Sequence, residues 1–254
     1  ALTHTGKPAK DSSMTQPLPL EINRRAPVQR IPLGDGKSWV DLCPGFVPKA
    51  QELFETTLAE TQWRQSEVWR FDHYVEERRL GARLRADSLS EGLLKDVLTQ
   101  TSMHLEMAYR ARLSGVAAIL YRSGEDFQGL HADTGMTWLD DTLIAILVLG
   151  EPRPFRLRPR SGIQGQAGPE PQADDVVLHP GHGDLFVMGG RCQRDWLHAV
   201  PAYETENQRI SLTWRWSSKR GKPDTSPRRS DGKHYSDRPR VRGTRSRIAP
   251  PEQR

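Results

Sequence analysis

The sequence predicts an α+β fold, mainly β: a sandwich or jelly roll with helices packed on it from the N-terminal side. Three observations carry this. Seven short apolar runs, separated by Gly- and Pro-rich turns, crowd residues 116–216. Two stretches with helical spacing lie ahead of them. Strands and helices are segregated along the chain instead of alternating, which speaks against a parallel βαβ sheet. A length of 254 residues suits one sizeable domain with tails.

Taken in order, residues 1–37 read as a flexible extension, rich in Pro, Ser and Lys and without a sustained period. Gly34 to Ser38 (GDGKS) is no phosphate-binding loop, because that motif needs a glycine five residues before Gly36 and Ile31 stands there. From Pro48, the residues Ala50, Leu53, Phe54 and Leu58 recur at helical spacing. A second helix is expected after a Ser88/Glu91 capping box, with Leu94, Val97, Leu98, Thr101, Leu105 and Ala108 on one face and Gly115 as its stop. Between the two, residues 67–85 alternate bulky and charged side chains in the manner of a hairpin or lid. The runs 116–121, 142–150, 154–160, 174–180, 184–190, 196–201 and 209–216 supply the core strands. In residues 217–254 twelve Lys or Arg stand against four Asp or Glu, while the whole chain carries only +5, so the basic charge sits in this tail. The expected organisation is an extension (1–37), a domain (38–216) divided into helices and lid (38–115) and jelly-roll core (116–216), and a disordered basic tail (217–254).

Composition narrows the function classes. Cys43 and Cys192 stand far apart, without the spacing of a zinc ribbon or a disulfide framework. No run approaches the ~20 apolar residues of a membrane span, and no signal-peptide core precedes the first helix. The expectation is a cytoplasmic monomer.

The last apolar run carries the most chemical information. In RISLTWRW, Arg209, Ser211, Thr213 and Arg215 point to one face of a strand, and Ile210, Leu212, Trp214 and Trp216 to the other. Two arginines on a face backed by aromatic residues suit an anion site inside a barrel, since a buried guanidinium is favourable only when paired. Upstream, His131 and Asp133 form a His-x-Asp pair, and His198 stands in an otherwise apolar strand. Two imidazoles and one carboxylate make a facial triad, which leaves open metal positions for a bidentate 2-oxo acid and dioxygen. His179 and His182 offer a rival zinc pair, but they sit in a Pro-Gly turn that lacks a rigid common face.

These motifs recur in a set order: Leu120 to Gly124 (LYRSG), His131-Ala-Asp133, the run Leu143 to Gly150, His182 to Gly190 (HGDLFVMGG), His198, and Arg209-x-Ser211-x-Thr213-x-Arg215. From about Leu120 to Trp216 the chain resembles the AlkB-type iron(II)/2-oxoglutarate dioxygenases. The resemblance implies a double-stranded β-helix (jelly-roll, cupin-like) core, with Fe(II) bound by His131, Asp133 and His198. It implies 2-oxoglutarate held by Tyr121, Arg209 and Arg215, with O2 as oxidant. The implied reaction is oxidative dealkylation of N-alkylated nucleobases, of the 1-methyladenine or 3-methylcytosine type, in alkylated DNA or RNA. This is direct-reversal repair, releasing aldehyde, succinate and CO2. Two positions depart from the family pattern. Ile119 replaces an asparagine that bonds the cosubstrate, and Gly135 stands where some relatives carry an acidic base-reading residue. The competing expectation is a 2-oxoglutarate-dependent hydroxylase or demethylase acting on a protein side chain or small metabolite. For a nucleic-acid substrate, Trp69, Tyr74 and Trp138 are candidates to stack on a base and Arg156 to meet the phosphate backbone.

Overall fold

The structure is a computed structural model and describes residues 20–70, 73–133, 135–136, 139–160, 170–218 and 234–236. The first half of the chain contributes strands β1 (Gln29–Pro32), β2 (Ser38–Cys43), β3 (Arg64–Arg70) and β4 (His73–Leu84), with helices α1 (Ala50–Glu60) and α2 (Leu93–Tyr109) between and after them. The second half is β5 (Ser114–Tyr121), β6 (Gln128–His131), β7 (Thr142–Gly150), β8 (Phe155–Pro159), β9 (Val176–Leu178), β10 (Leu185–Gly190), the short α3 (Cys192–Asp195), β11 (Trp196–Val200) and β12 (Arg209–Ser217). A last strand, β13 (His234–Ser236), pairs with β3.

From β5 onward the chain passes back and forth between two antiparallel sheets, which is the jelly-roll winding. The larger sheet runs β1-β2-β10-β7-β12-β5-β4-β3-β13 and the smaller runs β6-β11-β8-β9. β7 explains why the sequence of this strand is apolar throughout. Its alternate residues Ile144, Ile146 and Val148 face the core between the sheets, and Leu143, Ala145, Leu147 and Leu149 face a second core on the outer side. That outer core is supplied by α1 through Ala50 and Leu53, and by α2 through Leu94, Val97, Leu98 and Leu105. Both helices bury residues three, four or seven apart, as an amphipathic helix on a sheet must. A strand covered on both faces has no polar side to show.

Several sequence expectations need correction. The larger sheet already begins within residues 1–37: β1 lies there, and Ile22 and Leu33 are buried. Residues 38–115 are more than helices and lid, because β2 and β4 are hydrogen-bonded into the same sheet as the core strands. The Ser88/Glu91 capping box does not form. Ser88 closes a 3-10 turn by donating to the Arg85 carbonyl, Glu91 pairs with Lys95, and α2 starts only at Leu93 behind Gly92. The helix ends at Arg110, whose φ of 51° is left-handed, and Gly115 lies inside β5. Of the tail, residues 217–218 and 234–236 are described: Ser217 completes β12 and 234–236 form an edge strand. The hairpin expected over residues 67–85 is β3–β4.

Candidate active site

The two histidines meet because their strands do. β6 and β11 pair antiparallel with His131 opposite His198, and the ring centroids are 4.2 Å apart. Asp133 follows two residues after β6 and turns its carboxylate toward both: Oδ1 lies 3.6 Å from His131 Nε2 and 4.0 Å from His198 Nε2. Among the described residues, the His/Asp/Glu/Cys grouping able to hold a metal is His131, Asp133 and His198, with one ligand atom from each within 4.8 Å of the others.

The protonation pattern suits ligation. His131 Nδ1 lies 2.9 Å from the Gly129 carbonyl, which can only accept, so this bond takes the proton on Nδ1 and turns Nε2 toward Asp133. His198 is almost fully buried and stacked on Phe155. Burial first, then the neighbouring His131, push its pKa down to about 3, while Asp133 opposes, so the imidazole is neutral. For Asp133, burial alone would raise the pKa. The hydrogen bond to His131, the Arg215 charge and both imidazoles outweigh it and hold the carboxyl well below the usual range. Two second-layer contacts aim that carboxylate. Arg215 Nε donates to Oδ2, leaving Oδ1 for the metal side, and the Asp133 N–H donates to Gln193 Oε1 at 2.9 Å.

The inner face of β12 carries the anion site. Arg209, Ser211, Thr213 and Arg215 pair across to Gly150, Val148, Ile146 and Ile144 of β7, and the last three belong to the core between the sheets. Ile210, Leu212 and Trp214 face the helices. Arg209 is 0% exposed and finds no carboxylate among the described residues. Its Nε reaches Ser211 Oγ at 3.5 Å, its Nη1 the Arg153 carbonyl at 3.3 Å, and its Nη2 has no partner. Burial lowers its pKa to about 10, with Tyr121 opposing and Arg153 adding to the effect. A buried cation with weak bonds and one orphaned donor fits an incoming carboxylate. Tyr121, buried opposite Arg209 on β5, is beside it. Burial lifts its phenol pKa, and Arg79, Arg209 and Arg153 only partly counter this, so the hydroxyl remains a donor.

The structure thus assembles His131, Asp133 and His198 in one group and Tyr121 with Arg209 in another, and places Arg215 on the metal-side carboxylate. Arg156 lies on β8 with Nε 3.5 Å from Asp175, the carboxylate that Arg158 grips at 2.7 and 2.8 Å. Arg158 is 1% exposed, so this part of the arginine run is an internal clamp and not a phosphate-facing row. Tyr74 is a half-buried residue of β4, opposite Trp69 in β3. The side chain of Trp69, and all of Trp138, lie outside the described residues. His182 is spent on structure, its Nδ1 accepting the Gly150 N–H at 2.7 Å.

Gly135 has a physical reason. Its φ is +80°, in a turn closed by the Met136 N–H on the Asp133 carbonyl. Non-glycine residues enter that region at a cost of roughly 1–2 kcal/mol. The position is governed by the turn that carries the metal carboxylate. Ile119 faces inward opposite Ser211 and packs against the inner core, offering no hydrogen bond. Two residues escaped the sequence reading, Gln193 and Arg153. Their signal is tertiary: each is buried and acts on another segment's backbone.

Residues 93–215, from α2 to Arg215, match the family model of the 2OG-Fe(II) oxygenase superfamily. The alpha-ketoglutarate-dependent dioxygenase alkB homolog 3 of Bos taurus is 28% identical over 218 residues, 78% of this chain and 76% of that protein. The human protein of the same name is 27% identical over 228 residues, 81% of this chain and 79% of that one. The DNA oxidative demethylase ALKBH2 of Arabidopsis thaliana is 31% identical over 119 residues, 41% of this chain and 38% of that protein. With a triad suited to iron(II) and a buried guanidinium left for a carboxylate, residues 93–215 form a 2OG-Fe(II) oxygenase domain, whose cofactors are Fe(II), 2-oxoglutarate and O2, and the chain is similar to the AlkB-type dioxygenases.

Proposed function

We propose that this dioxygenase removes alkyl groups from N-alkylated nucleobases of DNA or RNA, with lesions of the 1-methyladenine and 3-methylcytosine type as its substrates. The observation that carries this reading is the similarity, over 119 residues, to a relative named as a DNA oxidative demethylase. The alkB homolog 3 relatives extend it to about four-fifths of the chain.

In this reading His131, Asp133 and His198 hold the metal. Arg209, with Tyr121 beside it, takes the distal carboxylate of 2-oxoglutarate. Arg215 keeps the second oxygen of Asp133 occupied, so that only one faces the metal. When bound, iron(II) with its cosubstrate and dioxygen supplies the oxidising power to hydroxylate an N-alkyl carbon. The rest is bond bookkeeping on the substrate. The C–N bond of the hemiaminal breaks, its electron pair returns to the ring nitrogen, the hydroxyl proton leaves, and the carbon departs as an aldehyde. A base in a duplex must first leave the stack, at a cost of a few kcal/mol that is least for a lesion already unpaired.

Purified protein supplied with Fe(II), 2-oxoglutarate and oligonucleotides bearing 1-methyladenine or 3-methylcytosine is expected to release formaldehyde and succinate in equal amounts. The His131→Ala variant is expected to release neither. Succinate formation stimulated by a peptide or metabolite, with no formaldehyde from any methylated oligonucleotide, would overturn the nucleic-acid reading.

A further inference from the structure

Arg153 sits in the Pro-Arg-Pro turn between β7 and β8 and is 0% exposed. No carboxylate pairs with it among the described residues. The nearby Asp126 is gripped by Arg122 through two 2.8 Å bonds, and Glu151 accepts from Asn207. The Arg153 guanidinium instead donates to three backbone carbonyls: Nη1 to Ser123 at 3.1 Å, and Nη2 to Asp126 at 2.8 Å and Pro201 at 2.7 Å. These belong to the loop that follows Tyr121 and the loop that leads from β11 to Arg209. The same guanidinium lies 5.2 Å from the Tyr121 ring centroid, and the Arg153 carbonyl receives Arg209 Nη1.

Every one of these contacts ends on a residue of the cosubstrate pocket or on a loop that delivers one. Burying a guanidinium without a counter-charge costs several kcal/mol, which a residue serving only to close loops would avoid by being neutral. Its planar fork of donors also matters, because a lysine ammonium cannot span three carbonyls in fixed directions while stacking on a ring.

We propose that Arg153 is a positioning residue of the 2-oxoglutarate pocket: it fixes Tyr121 and Arg209 relative to each other and adds a second buried positive charge, without a direct ion pair among the described residues, that selects a ligand with a distal carboxylate. The inference rests on cosubstrate use and is independent of which substrate is dealkylated, so its failure and that of the nucleobase reading are separable.

The test uses the full chain loaded with Mn(II), which holds the ligand set without turnover. Binding of 2-oxoglutarate and of 2-oxopentanoate, which lacks the distal carboxylate, is measured by titration calorimetry for wild type, Arg153→Met and Arg153→Lys. Arg153→Met is expected to weaken 2-oxoglutarate about tenfold or more, with Mn(II) affinity within about twofold of wild type. Its effect on 2-oxopentanoate is smaller, because charge selection is what has been lost. Arg153→Lys keeps the charge but loses the fork and falls between the two. In turnover, the KM for 2-oxoglutarate rises while kcat for succinate changes little. A cooperatively folded Arg153→Met protein that binds 2-oxoglutarate like wild type would overturn the proposal. So would equal losses for both 2-oxo acids, which mark a purely structural role. Should Arg153→Met fail to fold, Arg153→Lys decides, and wild-type binding by it rejects the proposal.

Discussion

At one end of the inward face of β12, Arg215 meets the Asp133 carboxylate, and its charge is answered within the protein. At the other end Arg209, more deeply buried, meets a serine hydroxyl and a backbone carbonyl and keeps a donor unused. The two arginines stand six residues apart on one strand, yet they do different work. Arg215 sets the direction of a metal ligand; Arg209 holds a charge in reserve for a molecule that arrives. A guanidinium that already has its counter-ion stabilises geometry, whereas one without it stores binding energy for a ligand.

Substitutions at the two ends should separate these roles. The largest effect is expected from Arg209→Met, which removes the only fully buried guanidinium of β12: 2-oxoglutarate affinity falls by about 100-fold or more, while Mn(II) affinity measured without cosubstrate barely moves. Arg215→Met should show the converse, with metal affinity reduced about tenfold as the carboxylate loses its second partner and a smaller change in 2-oxoglutarate binding. Equal effects of both variants on both ligands would erase the distinction. Next comes Gly135→Asp, expected to destabilise the protein by about 1–2 kcal/mol, read as a lower denaturant midpoint, because an acidic side chain is forced into a left-handed turn.

A further effect concerns pH. His198 is held neutral in the fold, its pKa lowered by burial to about 3 from an ordinary 6.5. A depressed folded pKa means that the unfolded chain takes the proton more readily. The stabilising contribution is therefore complete above pH 6.5 and is lost as pH falls from 6.5 toward 3. Thermal melts of metal-free protein should show this slope in wild type, and a flatter one in His198→Gln. Identical slopes would place the titration elsewhere.

The core strands were legible in the sequence because alternating or fully apolar runs bounded by Gly and Pro have few other solutions; the run 142–150 coincides with β7. β6 was not, since its four residues carry no apolar pattern and are placed by pairing with β11. β1 and β2 escaped for a related reason, being short and flanked by polar turns. The capping box shows local chemistry losing to tertiary demand: the signal at Ser88 and Glu91 is sound, but a 3-10 turn used the serine first. At the site, residues that touch ligand are of the types chemistry requires and could be named from spacing. Those that hold them, Arg153 and Gln193, act through backbone atoms distant in sequence and leave no trace in a motif.

The interleaving of strands also dictates when the protein becomes competent during its synthesis. His131 and Asp133 are made first, His198 and both β12 arginines come 65 or more residues later, and β12 must slot between β5 and β7. Until it does, the larger sheet is split and the two histidines and the aspartate stand without their cosubstrate anchor. The strand whose arginine anchors the cosubstrate is therefore the last part of the site to be laid down.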